Sequence, residues 1–313
     1  MDYFVTSLLN GTIYGLLLFM VSAGLTLIFG MMGVLNFAHA SFYMVGAYFA
    51  YTLQKPLGFW PAIVVATLLV GGVGSITERY FLRRVHRYGH AHELLLTFGL
   101  SFIIAELIKM FYGNYPVDYR LPKFLDFAAF NLFGSDYPVY RLIMGGIAIG
   151  MFIIIYLLLT LTRVGIVVRS AIYKPRMAEA LGHNVPLVFM GVFGMGAALA
   201  ALAGAVAGPF YTTNPNMALE LGVLVFVVVV VGGLGSLEGA LLASLLIGLV
   251  TSFAVGIDLS LSDFFALFGA RAWAEKMGDL MTLKISSLAA TIPYLFMLII
   301  LLVRPSGLMG EKE

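Results

Sequence analysis

The sequence contains no cysteine, which excludes a disulfide framework, a thiolate metal site and a thiol nucleophile. Charge is scarce as well: Asp, Glu, Lys and Arg make up 11% of 313 residues and the net charge is +2, too small a bias to imply nucleic acid. No Gly-rich loop ends in Lys-Ser or Lys-Thr, so ATP hydrolysis coupled to this chain must belong to another polypeptide. Neither a Gly-x-Ser-x-Gly elbow nor a His-Glu-x-x-His zinc helix is present. No catalytic centre, resident metal or cofactor is therefore expected, and the chain does not read as an enzyme. Met1-Asp2-Tyr3-Phe4 supplies no basic n-region, and no small-residue cleavage site follows, so the first apolar segment is expected to be retained.

What is abundant is apolar surface. Hydrophobic residues form 61% of the chain and the mean hydropathy is +0.99, so most of it must lie in lipid. The composition predicts an all-α, polytopic integral membrane protein, one transmembrane domain over residues 1–313, with about eight or nine segments of ~20 residues. Apolar segments fall near residues 4–29, 34–53, 61–80, 94–112, 142–161, 187–208, 221–231, 240–255 and 285–303. The seventh is short and Gly-broken, which predicts discontinuous or re-entrant helices. Arg79, Arg83, Arg84 and Arg87 follow the third segment, and Arg163, Arg169, Lys174 and Arg176 follow the fifth. Both connections read as cytoplasmic. In the 113–141 connection Asp118, Asp126 and Asp136 offset Arg120, Lys123 and Arg141, as expected of an outer loop. Residues 258–284 are the least apolar part of the second half and read as an extra external segment. Counting crossings puts the N-terminus outside and the tail inside.

The most informative stretch is Gly24 to Tyr48. Gly30 and Gly33 can let the backbone leave the helix, and Asn36, His39 and Ser41 then bring hydrogen-bonding groups to a depth where hydrocarbon forbids them. A broken helix of this kind forms substrate paths in transporters, because a half-helix N-terminus offers free N–H donors. The expected pathway residues are Gly30, Gly33, Asn36, His39, Ser41 and Phe42. The alternative is a turn between two ordinary spans with Asn36 and His39 as interhelical glue. Glu238, after the Gly-rich run 232–235, faces the pathway or merely ends a helix; that run resembles the opening break and hints at an internal repeat.

Other groups read more simply. His86, His90, His92 and Glu93 fit a solvated basic loop better than a metal site, and Glu106 and Lys109 are close enough along a helix to pair. Gly196, Ala200, Gly204 and Gly208 recur every four residues, giving a bare helix face that another helix can approach closely. Within the cytoplasmic segment 163–186, Ala178, Glu179, Ala180, Leu181 and Gly182 form a short helix stopped by Gly182 and Pro186, which is either a docking knob or an ordinary surface turn.

The run Gly-Leu-Thr-Leu-Ile-Phe-Gly-Met-Met-Gly-Val-Leu-Asn-Phe-Ala-His beginning at Gly24 closely resembles the permease subunits of branched-chain amino-acid ABC importers, of the LivH type. Glu179-Ala180-Leu181-Gly182, Gly232-Gly233-Leu234-Gly235-Ser236 and Arg304-Pro305-Ser306-Gly307-Leu308 extend the resemblance over nearly the whole chain. It implies a multi-pass permease of a prokaryotic inner membrane, moving leucine, isoleucine or valine. It also implies a second permease of the LivM type, two cytoplasmic ATP-binding subunits and an extracytoplasmic binding protein, with 178–182 as the ATPase contact. The 258–284 stretch is longer than that family usually carries. Related permeases for urea, amides or aromatic acids remain open as alternatives, as does an ion-coupled secondary carrier, which would need intramembrane acids such as Glu106 or Glu238.

Overall fold

The computed structural model describes residues 2–132, 135–257, 260, 262–263, 278 and 284–310. The extra segment expected at 258–284 thus lies almost wholly outside the described residues. The opening apolar run forms α1, Asp2–Met32. A non-helical stretch leads to α2, His39–Leu57, and α3, Phe59–Thr77, which continues through one π-helical turn, Glu78–Leu82, into α4, Arg83–His86. Next come α5, His90–Tyr112, a 3₁₀ turn Lys123–Leu125, and an antiparallel pair, β1 Ala128–Leu132 with β2 Ser135–Pro138. The helices α6, Val139–Leu161, α7, Arg163–Tyr173, α8, Pro175–Ala180, and α9, Val185–Ala207, follow. The chain closes with α10, Met217–Gly232, α11, Leu237–Gly256, α12, Ile285–Leu288, a 3₁₀ turn Ala289–Thr291, and α13, Ile292–Val303.

Among the described residues, seven helical stretches are long and apolar enough to cross a bilayer: α1, α3 through α4, α5, α6, α9, α11, and α12 through α13. The expected eight or nine included α2 and α10, and neither is among the seven. α2 has the length but carries His39, Ser41, Gln54 and Lys55; α10 has only 16 residues, short of the ~20 a crossing needs.

The hairpin departs from an all-α chain. Phe130 pairs with Tyr137, their rings stacked at 5.3 Å, and Asn131 donates to Asp136 at 2.7 Å. The third segment also runs further than its apolar residues suggest, so Arg79, Arg83 and Arg84 are helical rather than in a loop. The π turn is what permits this: it brings Arg83 onto Glu78, five residues earlier, at 2.6 and 3.1 Å.

α1 is the central strut, packed against α11, α9, α6 and α10. Its contact with α11 is a seam of small residues: a Cβ on Gly15 would lie 2.7 Å from the Ser244 carbonyl oxygen, and one on Gly248 2.5 Å from that of Gly11. α9 packs against α1, α2 and α3. Gly196 faces Gly24 and Ile28 of α1, Gly204 abuts the Tyr43 carbonyl of α2, Ala200 is fully buried, and Gly208 meets the Tyr119 ring. The four-residue spacing therefore serves several neighbours. After α13 the chain turns back, and Leu308 and Met309 donate backbone N–H groups to the Val231 and Gly232 carbonyls at 2.8 and 3.0 Å, covering the otherwise unpaired end of α10.

The two basic connections meet at one end of the bundle, where Arg83 donates to the Pro186 carbonyl at 2.7 Å. At the other end the 113–138 connection closes over the tips of α2 and α9. Gln54 donates to the Arg120 carbonyl at 3.2 Å and Tyr119 to that of Ala205 at 3.0 Å.

Candidate functional site

α1 stops at Met32 because Gly33 takes a left-handed φ of +65° while its N–H still bonds the Phe29 carbonyl at 2.8 Å. Asn36 starts the next helix: its side-chain oxygen accepts from Ala38 N and its carbonyl from His39 N, both at 3.1 Å. His39 Nε2 then donates to the Val21 carbonyl at 2.8 Å. Val21 stands eleven residues before the end of α1, about 16 Å back along the helix. The chain thus climbs back beside α1, and α2 begins inside the bundle rather than at its end.

Asn36 and His39 are only 3% and 1% exposed, and Asn36 Nδ2 and His39 Nδ1 have no hydrogen-bond partner among the described residues. Both residues line a cavity of about 30 Å³ together with Leu25, Phe37, Gly222 and Phe226, room for roughly one water. With Nε2 donating, the neutral His39 ring presents an acceptor lone pair at Nδ1, while Asn36 Nδ2 presents donors. Each buried polar group left unpaired costs about 1–3 kcal/mol, so the site favours a polar guest.

Phe37 forms one wall of this cavity. Its ring stacks near Phe226 at 6.2 Å and meets Phe98 edge-on at 6.3 Å, and its N–H donates to Thr97 Oγ1 at 3.2 Å. Thr97, Phe98 and Phe226 come from α5 and α10, far away in sequence, and no local pattern marks them. Of the remaining expected residues, Ser41 and Phe42 are buried in the packing, Phe42 edge-on to Phe193 at 6.1 Å. Gly30 does not break the helix. It stays within α1, where a Cβ would lie 2.9 Å from Gly235, so its role is close contact with the second Gly-rich break. Beside it lies a cavity of about 200 Å³ bounded by Thr26, Arg169 and Leu237. Glu238 is exposed on the first turn of α11, whose N-cap Ser236 accepts from Gly239 N at 3.0 Å. It lines neither cavity.

The histidine-rich connection is not simply solvated. Glu93 is 1% exposed and its carboxylate is held by His86 Nδ1 and, at 3.2 Å, by His90 Nδ1. Among the described residues no group of three or more His, Cys, Asp or Glu could hold a metal. Glu106 pairs with Lys109 at 2.7 Å on the outside of α5. In the 163–186 segment, α8 ends in a Schellman motif: His183 N bonds the Ala178 carbonyl at 3.0 Å and Gly182 N that of Glu179 at 2.9 Å. Gly182 has φ +87°. Ala178 is buried against Ala171 and Val185, whereas Glu179 and Ala180 are exposed and Leu181 is 77% exposed. The result is a short rigid knob with an outward apolar tip.

A helical membrane domain whose first helix breaks at a buried polar stretch, Asn36 to His39, has the build of a transporter permease. Residues 7–302 match the family described as the permease component of the branched-chain amino acid transport system, and the chain belongs to that family. It is 24% identical over 330 residues to the high-affinity branched-chain amino acid transport permease LivH of Salmonella typhimurium, covering 99% of this chain and 97% of that protein. It is similarly 24% identical to BraD of Pseudomonas aeruginosa over 324 residues, covering 99% and 97%. With a probable LivH of Methanocaldococcus jannaschii it shares 28% identity over 312 residues, covering 95% and 90%. Among solved structures, PsaBC from Streptococcus pneumoniae in complex with Fab aligns over 95% of this chain and 91% of its own, at 12% identity and a TM-score of 0.46. The family makes the chain a multi-pass membrane permease that works with an ATPase and a substrate-binding protein.

Proposed function

We propose that this chain is one half of the membrane pore of an ABC importer for leucine, isoleucine or valine, and that residues 33–39 form its closed constriction. The observation that supports this most directly is the unpartnered pair at the start of α2. Asn36 Nδ2 can donate to a carboxylate and His39 Nδ1 can accept from an ammonium, while Leu25, Val225 and Phe226 offer an apolar side chain its surroundings. A second permease completes the pore, two ATP-binding subunits hydrolyse ATP, and an extracytoplasmic binding protein delivers the amino acid. The α8 knob docks on an ATPase, its Met177 and Leu181 exposed and its Ala178 anchored. Closure of the ATPases then reaches α7 and α9 through a rigid turn, and through α9 the helices α1 and α2 that hold the constriction. The basic ends of α4 and α7 face the cytoplasm and the 113–141 connection faces outward.

The test is uptake in proteoliposomes holding the whole complex, with leucine, urea and short amides as substrates. Asn36→Ala and His39→Ala are expected to lower leucine uptake per permease while leaving abundance in the membrane unchanged. Undiminished uptake in both variants would make these residues interhelical glue, and uptake of urea in place of leucine would reassign the substrate.

A further inference from the structure

The outer part of α1 borders a second and larger cavity, about 550 Å³, enclosed with α6, α11 and the 208–216 connection. Among the described residues lining it, the one ionised side chain is Arg141. Its guanidinium lies 4.9 Å from the Phe210 ring centroid and 5.4 Å from that of Tyr137, and it donates to Asn10 Oδ1. No carboxylate pairs with it among the described residues. The same cavity holds Thr251 Oγ1, buried and without a hydrogen-bond partner among the described residues. Burial raises the Tyr137 and Tyr211 phenols while Arg141 opposes the shift, so both are neutral and the local charge is positive. Ile13, Phe210 and Val255 add apolar surface to a wall that also carries Ser7 and Ser252.

The cavity is also in register with the constriction. Tyr14 lines the outer cavity and Leu25 the inner one. Eleven residues are close to three helical turns, so the two share one face of α1 about 16 Å apart. Between them Leu18, fully buried, clusters with Leu224 and Val228 of α10. An aromatic-braced cation, an idle hydroxyl and apolar surface thus stand directly above an apolar seal.

We propose that this cavity is a binding site for the carboxylate of a small acid with an apolar body, gripped by the Arg141 fork with Thr251 Oγ1 as a second donor. It is an outer waiting position for cargo, separated from the constriction by the Leu18 seal. The assignment rests on reading the chain as an amino-acid permease, since an uncharged substrate would have no use for a guanidinium that no carboxylate among the described residues pairs. Charge-assisted, bidentate contact is what distinguishes arginine here from any other donor.

Because the chain lacks cysteine, Val255→Cys, at a position that is 60% exposed on the cavity rim, gives a local readout. The whole complex, in phosphatidylcholine nanodiscs, is labelled with a fluorescent maleimide and the rate is read on the permease band. Leucine and 3-methylbutanoate are expected to slow labelling saturably, and leucinamide to need at least tenfold more. Arg141→Gln should raise the half-protecting leucine concentration at least tenfold and abolish discrimination against leucinamide, and Arg141→Lys should fall between. Thr251→Val, which leaves the arginine in place, should raise that concentration severalfold. Equal protection by leucinamide, or protection indifferent to Arg141→Gln, overturns the proposal. So does Arg141-dependent protection by phosphatidylglycerol in the nanodisc without leucine, which would assign the guanidinium to lipid headgroups. Leucine uptake without protection removes the site and leaves the permease reading intact; Arg141-dependent protection without leucine uptake upholds the site and removes the substrate assignment.

Discussion

Replacing Gly204 by alanine adds one carbon to the contact between α2 and α9. That carbon would sit 1.9 Å from the Tyr43 carbonyl oxygen, 2.8 Å from its carbon and 3.2 Å from Ala47 N. The neighbours are backbone, so no rotamer change relieves the clash, and the helices must part by on the order of 1–1.5 Å to restore ordinary contact. A gap of ~0.5–1 Å already forfeits a quarter to a half of each dispersion well along the seam, and lipid supplies no compensating hydrophobic drive between helices. Overpacking costs about 1–3 kcal/mol in ordinary cores. This contact belongs at the top of that range, offset by ~1 kcal/mol from the better helix propensity of alanine. The net expectation is a loss of about 2 kcal/mol. Gly72→Ala is the matched control, since a Cβ there meets nothing within 4 Å and should be neutral or slightly stabilising. The assay is the temperature at which the purified complex loses its monodisperse gel-filtration peak. A Gly204→Ala complex as stable as Gly72→Ala would refute the close-packing argument, and normal assembly of Gly204→Leu would show that this face needs no bare backbone.

Gly182→Val places a β-branched side chain at a φ of +87°, costing roughly 1–2 kcal/mol of local strain. The variant should reach the membrane yet lose ATPase binding or uncouple hydrolysis from uptake. Wild-type ATP turnover and uptake in both Gly182→Val and Glu179→Ala would remove α8 from the mechanism. Val85→Cys, between Arg84 and His86, should resist an impermeant thiol reagent added outside intact cells, while a cysteine at Tyr115, 83% exposed, should react; the reverse pattern would invert the proposed topology.

The sequence exposes the break between α1 and α2 because everything that makes it is local. Gly33 ends one helix, Asn36 turns the chain and His39 opens the next, all within seven residues. Its walls are another matter. Phe226 and Thr97 reach Phe37 from helices 189 and 60 residues away, and a single apolar sequence contains nothing that pairs them. In the histidine connection His86 and His90 are exposed, as a solvated loop would have them, but Glu93 looks like one more charge in a basic run, and only the fold of α4 against α5 brings both histidines onto it and buries it. In the structure Gly196, Gly204 and Gly208, part of the four-residue spacing, lie against Gly24 and Ile28, the Tyr43 carbonyl and the Tyr119 ring. The same spacing at Gly11 and Gly15 serves the α1–α11 seam, and nothing local marks it, since its partner Gly248 lies more than 230 residues away.

Most instructive is the likeness between the two Gly-rich breaks. As a pattern it suggested a repeat; in the structure it is also a contact, with Gly30 against Gly235. The repeated plan lies elsewhere. α1 and α9 are each followed by a non-helical return and a helix that begins inside the bundle, with Ala40 near the start of α2 beside Gly222 in α10. The N-terminal parts of α2 and α10 therefore meet beside the cavity that Asn36 and His39 line. Backbone bareness at Gly30 and Gly235 then holds the two halves close at the opposite, basic end. Under the proposed docking of α8 on an ATPase, a displacement of α7 and α9 would meet, at that end, a contact between the backbones of Gly30 and Gly235.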